Sequence, residues 1–213
     1  VPLISFLQDR DFDACFGFDL SLSRVIEGQK WVSEHLSPSL HPNLCVADMA
    51  QIPLPANSID VVYTNSALEP NGGRESRLIS ELVRVARHYL VMFEPIFETA
   101  SPEFQDWMVR HKYVRNLVDH ASKFGQVTQF GSIGEGHLIE RPRGYIVLKK
   151  RAEADNTIRT PVWSDPVTKE PLVGSTDHML NRSLGIVYPR IKGFPILKDD
   201  SMIFGNALNS GVT

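Results

Sequence analysis

The chain of 213 residues can build one full core, or a domain of about 150 residues with a small appendage. Its 42% hydrophobic and 22% charged residues exclude a disordered, collagenous or coiled-coil protein, and no apolar run nears the roughly 18 residues that span a bilayer. The net charge of −3, from 22 Lys and Arg against 25 Asp and Glu, gives no strong nucleic-acid signal.

Val1-Pro2-Leu3-Ile4 lacks the basic start of a signal peptide and lacks an initiator Met, so it need not be the natural start. Cys15 and Cys45 are too few for a disulfide framework or a four-cysteine zinc site. Flanked by apolar residues, they read as reduced core thiols of a cytoplasmic protein.

In chain order, residues 12–18 form a short apolar run that predicts a buried strand. Residues 21–36 have helical spacing, with Leu22, Val25, Ile26, Trp31 and Val32 apolar, and Pro38 forbids continuation. Residues 43–47 predict a second strand and residues 59–64 a third, separated by a Pro53, Pro55, Asn57 turn. A helix is predicted over 74–88 and a fourth strand over 89–93. One long helix is predicted over 103–124, ended by Gly125 as a left-handed cap. Residues 127–133 and 144–149 predict two antiparallel edge strands. Strands alternating with helices over the first 95 residues imply βα units and a parallel sheet.

The domain organisation expected is an α/β domain over 1–150, a polar linker over 151–158, a small β-rich domain over 159–204 and a flexible tail over 205–213. Pro161, Pro166, Pro171, Pro189 and Pro195 cut the third segment into pieces too short for helices. Gly131, Gly134 and Gly136 read as a loop between edge strands, because a phosphate-binding glycine turn should open a helix.

Ligands of parallel nucleotide-binding sheets sit at the carboxyl ends of the strands. Asp19, Asp48 and Asn65 fall at such ends. A carboxylate at the first can accept two hydrogen bonds from a ribose diol, each worth about 1.5–3 kcal/mol. The second can meet an adenine edge with Met49 against its face. Either Asp can instead cap the following helix or turn.

The stretch 48–69, reading DMAQIPLPANSIDVVYTNSALE, resembles the central signature of class I methyltransferases that use S-adenosylmethionine. Residues 78–88 and the following YLVMFEP of 89–95 are similar to that family's next helix and strand. The resemblance covers roughly residues 12–150 and is of the methyltransferase type 11 kind. It implies an α/β fold: a Rossmann-like methyltransferase sheet with flanking helices. It also implies S-adenosyl-L-methionine as cofactor, with Asp19 and Leu20 at the ribose, Asp48 and Met49 at the adenine, and Asn65, with Thr64 and Ser66, beneath the methionine. The family's Gly-x-Gly-x-Gly turn does not precede Asp19, and Leu3–Gln8 corresponds to the end of the first helix. The expectation is therefore that this domain is N-terminally incomplete.

The C-terminal segments DPVTKEPL (165–172), GIVYP (185–189) and GFPIL (193–197) are similar to the small zinc-ribbon-like methyltransferase-activator domain. Metal-bearing relatives begin with Cys-Pro, whereas here the pair is Asp165-Pro166 and no cysteine follows. A structural zinc needs four ligands, so no metal is expected. Trp163, Leu172, Tyr188, Phe194, Ile196 and Leu197 are expected to pack the module instead.

The resemblance implies transfer of a methyl group to a small or carrier-linked metabolite. His111 and Glu94 are the candidate catalytic bases, and His111 is favoured because imidazole titrates near neutrality. Glu69, Tyr113 and Arg115 are candidate substrate contacts. A protein partner or a second copy is a further expectation. Two alternatives stay open: a non-catalytic scaffold binding a partner through its C-terminal domain, and a nicotinamide-dependent oxidoreductase fragment, which the 48–69 signature disfavours.

Overall fold

The computed structural model describes residues 12–35, 41–133, 143–152 and 157–205. In chain order these give β1 (Phe16–Asp19), α1 (Leu22–His35), β2 (Asn43–Ala47), β3 (Ile59–Asn65), α2 (Glu75–Val85) and β4 (Ala86–Glu94). There follow α3 (Pro102–Arg110), α4 (Leu117–Ser122), β5 (Gly125–Ile133) and β6 (Arg143–Lys150). Five short strands complete the order: β7 (Val173–Gly174), β8 (His178–Asn181), β9 (Ile186–Ile191), β10 (Phe194–Leu197) and β11 (Ile203–Phe204).

The chain divides into two compact units. One joins Val1–Pro55 with Val162–Thr213, and the other is Ala56–Pro161. The division expected from sequence is 1–150, 151–158 and 159–204. The two segments of the first unit are joined by a strand pairing: β10 lies parallel to β2, with Ile196 opposite Val46 and Leu197 opposite Ala47. The tail expected at 205–213 lies, past residue 205, outside the described residues, as do 153–156 of the linker.

In the first unit the strand order is β1-β2-β10-β9-β8-β7, with β11 on β9. β1 and β2 are parallel, Phe16 to Asp19 facing Asn43 to Val46. β10 pairs parallel with β2, β7-β8-β9-β10 are antiparallel in succession, and β11 runs antiparallel to β9. Lys192 and Gly193 join β9 to β10, and their φ values of 53° and 84° put both in the left-handed region that a two-residue turn needs. α1 buries Val25 and Val32, seven residues apart and so on one face. Val25 packs with Val46 and Ile196, flanked by Leu22, Leu44 and Phe194. A second cluster holds Cys45, Ala47, Met179, Ile186, Tyr188 and Leu197, with Trp163 and Leu172 against it. The six residues expected to pack the C-terminal module do pack, in two clusters shared with β1, β2 and α1. Cys45 is fully buried; Cys15 is half-buried, and both are free thiols.

The second unit carries a four-stranded sheet in the order β3-β4-β6-β5. β3 and β4 are parallel. β6 runs antiparallel to β4, and β5 lies antiparallel to β6 at the edge. Leu90 and Met92 of β4 and Ile146 and Leu148 of β6 are buried, and so are Leu78, Ile79, Leu82 and Val83 of α2.

Three expectations are corrected here. The helix predicted over 74–88 stops at Val85, because Ala86 turns extended and pairs with Ile59. Strand pairing overrides helical periodicity at that point. The helix predicted over 103–124 is two helices broken at 111–116, where Lys112 and Asn116 adopt φ of 54° and 52°. Gly125 is the first residue of β5 rather than a left-handed cap. A Cβ there would stand 2.1 Å from the Lys149 carbonyl oxygen, so close backbone approach demands the glycine.

Candidate functional site

In the first unit, Asp19 and Asp48 lie at the carboxyl ends of adjacent parallel strands. Asp19 faces Val46 across the ladder, two residues short of Asp48. Each carboxylate organises the turn after its strand, in the manner of the capping alternative. Asp19 Oδ1 accepts the Ser21 N–H at 2.8 Å, and Asp48 Oδ1 accepts the Ala50 N–H at 2.8 Å. Asp19 Oδ2 lies 3.7 Å from an Arg24 guanidinium that is itself exposed. Capping uses one oxygen of each carboxylate, so it is compatible with a ligand on the other. Leu20 is 61% exposed, and Met49 is half-buried in a single helical turn, Met49–Gln51.

In the second unit the carboxyl ends of β3 and β4 build a denser arrangement. β3 ends at Asn65. Ser66 then takes φ of 49° while its N–H donates to the Phe93 carbonyl at 2.9 Å. Left-handed backbone at a serine costs of order 1–3 kcal/mol and persists where neighbours hold it. The holder here is Glu94, 1% exposed. Its carboxylate accepts the N–H groups of Ala67 at 3.0 Å, Leu68 at 3.2 Å and Glu69 at 3.2 Å. Three consecutive amides converge as they would around a bound anion. Burial pushes the Glu94 carboxyl up to about 7, against the opposing pull of the Ala67 and Leu68 amides. The buried Thr64 hydroxyl also favours the charged form, yet closes no hydrogen bond of ordinary geometry among the described residues.

The segment 111–116 is fastened to this loop. Gly72 N–H donates to the Lys112 carbonyl at 2.8 Å, and Val114 N–H to the Glu69 carbonyl at 3.1 Å. The Glu75 carboxylate, buried in the first turn of α2, accepts the Arg115 N–H at 3.1 Å. A Cβ at Gly72 would lie 2.5 Å from both the Lys112 and Tyr113 carbonyl oxygens. These contacts seat Val114 on Glu69 and Arg115 on Glu75 where the helical run is interrupted.

Trp107 of α3 stacks on His111 at 4.2 Å and meets Tyr113 edge-on at 4.8 Å. Arg115 lies 6.0 Å over the Phe97 ring. His111 is exposed, and its Nδ1 is 2.8 Å from the Trp107 carbonyl. A carbonyl only accepts, so Nδ1 carries the proton in the neutral ring and Nε2 keeps the lone pair. Glu94, the second candidate base expected from sequence, is buried and has both oxygens on the amides of the loop. The sequence reading also passed over Gly72 and Glu75. Of these, the Gly72-Gly73 pair before an acidic first helical turn was the available signal.

Asp165, in the C-terminal part of the first unit, is 1% exposed. Its carboxylate accepts the Val167 N–H at 2.8 Å, the Thr168 N–H at 2.9 Å, Asn181 Nδ2 at 3.0 Å and the Tyr188 hydroxyl at 3.1 Å. Burial pushes this carboxyl up, but the four hydrogen bonds outweigh it and hold it below the ordinary range. Burial and the facing Asp165 charge raise Tyr188. Among the described residues no three His, Cys, Asp or Glu side chains cluster as a metal site would require.

With these geometries in place, comparison with known proteins is informative. Residues 3–89 match the methyltransferase domain family. No curated protein matches the chain. Among solved structures it is similar to the [4+2]-cyclase SpnF, with a TM-score of 0.56 and 14% identity over 71% of each chain. It is also similar to a Galdieria sulphuraria protein described as a sarcosine dimethylglycine methyltransferase, with a TM-score of 0.50 and 12% identity over 64% of this chain and 69% of that one. These likenesses show the fold: a Rossmann-like methyltransferase architecture with flanking helices and an added strand-rich C-terminal region. A cyclase and a methyltransferase share it, so the fold alone does not choose the reaction. Among the described residues no helix is long and apolar enough to cross a membrane.

Proposed function

We propose that this protein is an S-adenosylmethionine-dependent methyltransferase of the cytoplasm, acting on a small or carrier-linked metabolite. The observation that carries the reading is the pair Asp19 and Asp48 on adjacent parallel strand ends, inside the segment that matches the methyltransferase domain. The donor set fits the cofactor's nucleoside half: Asp19 would accept the ribose hydroxyls beside Leu20, and Asp48 would take the adenine amino group with Met49 against the ring. Asn65 would bind the amino-acid half from its own strand end.

The cofactor, when bound, supplies an electrophilic methyl on a sulfonium. The chain's residues supply orientation, an effect that can reach about 7–11 kcal/mol. Glu94 fixes the Ala67–Glu69 loop. Glu69, Tyr113 and Arg115 would hold the acceptor, and His111 Nε2 would take its proton.

Calorimetric titration of S-adenosylhomocysteine tests this reading. The chain should bind it, and Asp19→Ala should weaken binding more than tenfold. An unchanged affinity would show that the Asp19 strand end is not the ribose site. Binding by neither this chain nor one extended upstream by about 40 residues, room for one strand and half a helix, would favour the scaffold alternative, with the C-terminal strands as the partner-binding element.

A further inference from the structure

A cavity of about 520 Å3 lies within the second unit, lined by Asn57, Arg87, His88, Tyr89, Lys149–Ala152 and Ile158. Its size is that of a small-molecule site. It opens where β4 begins and β6 ends. Tyr89 to Glu94 is five residues of strand, so it stands roughly 17 Å from the loop that Glu94 holds.

The charge is concentrated and built in. Arg87 is anchored at 2.6 Å to Asp60, and Lys150 Nζ donates to Asn57 Oδ1 at 2.7 Å and to the Ala86 carbonyl at 3.1 Å. Lys149 and Arg151 are exposed and have no side-chain partner among the described residues. Four basic side chains thus line one cavity in a chain whose net charge is −3. Beside them is uncovered apolar surface. Tyr89 is the register partner of both Lys149 on β6 and Val61 on β3, so the three form one row across the sheet. Tyr89 is 37% exposed, Val61 47% and Ile158 70%.

An anion alone would not need the ring, and an apolar ligand would not need the cations. We propose that this cavity binds a phosphate-bearing small molecule with a planar ring, the phosphates on Lys149, Arg151 and Arg87 and the ring against Tyr89. Arginine and lysine together supply forked and point-charge contacts to phosphate oxygens. The site is separate from the one assigned to methyl transfer.

Calorimetric titration of the full chain with uridine diphosphate and with pyrophosphate, at matched ionic strength, tests the proposal. Both should bind saturably, and Lys149→Gln with Arg151→Gln should weaken both at least tenfold. Tyr89→Ala should weaken uridine diphosphate at least threefold and leave pyrophosphate within twofold. Asp19→Ala should alter neither, which separates this site from the ribose position. The absence of saturable binding, or equal affinity in the double variant with an unchanged melting temperature, would overturn the proposal. So would loss of uridine diphosphate binding in Asp19→Ala alone.

Discussion

The Glu94 side chain performs two tasks that pH sets against each other. Its carboxyl is raised to about 7 from an ordinary value near 4.5, so the folded state holds its proton more tightly than the unfolded chain does. The resulting stabilisation is complete below about 4.5 and is lost as pH rises through about 7. Ionisation, however, is the form best suited to accept three amide N–H groups. Between pH 5 and 8 the melting temperature should therefore fall while the loop tightens. Glu94→Gln should flatten the stability profile and, by placing an amide N–H against the loop donors, weaken substrate-side binding at every pH. Melting curves at several pH values check the first outcome; a pH-independent parent would refute it. Asp165 has the opposite sign. Its lowered carboxyl contributes stability above pH 4 that is lost in acid as pH falls through the folded value. Asp165→Ala should destabilise the first unit by roughly 3 kcal/mol, since it strands the buried Asn181 amide and Tyr188 hydroxyl. Chemical denaturation measures the loss.

At the scale of elements, the joint between the 66–74 loop and the 111–116 segment should be intolerant of added volume. Gly72→Ala places a methyl against two backbone carbonyls that cannot rotate away. A loss of about 1–3 kcal/mol is expected, together with weakened substrate-side binding; an unchanged melting temperature would mean the segment docks differently. This joint also marks where the sequence stopped being readable. β2 and β3 were legible because short apolar runs end there at Asp48 and Asn65, both at positions a ligand could reach. The break at His111 was not, because residues 103–124 keep helical spacing throughout. The break exists because Gly72, Glu69 and Glu75 make hydrogen bonds to Lys112, Val114 and Arg115, partners 40 or more residues away. Likewise, Asp19, Asp48, Tyr113 and Arg115 could be named from their places along the chain. The inward commitment of Glu94 depends on a loop curling back over it, which no local pattern encodes.

At the scale of the molecule, the two units differ in how the chain supplies them. Ala56–Pro161 is one continuous stretch with its own sheet, so the fragment 56–161 should fold alone and show a cooperative melt. Trp107 reports this unit, whereas Trp31 and Trp163 report the other. Chains keeping only Trp107, or only Trp163, should show distinct denaturant midpoints by fluorescence. Coincident midpoints would make the chain a single cooperative block.

The pairing of β10 with β2 has a consequence for the order of events on the ribosome. The strand that completes the first sheet follows β2 only after all 106 residues of 56–161 have been made. Its first residue, Phe194, comes after 146 residues that follow the end of β2, so at about 5–20 residues per second β2 waits roughly 7–30 s with one edge open. The second unit can close during that interval. The nascent chain thus finishes its middle before its beginning, and the exposed β2 edge is the place where a chaperone would be needed.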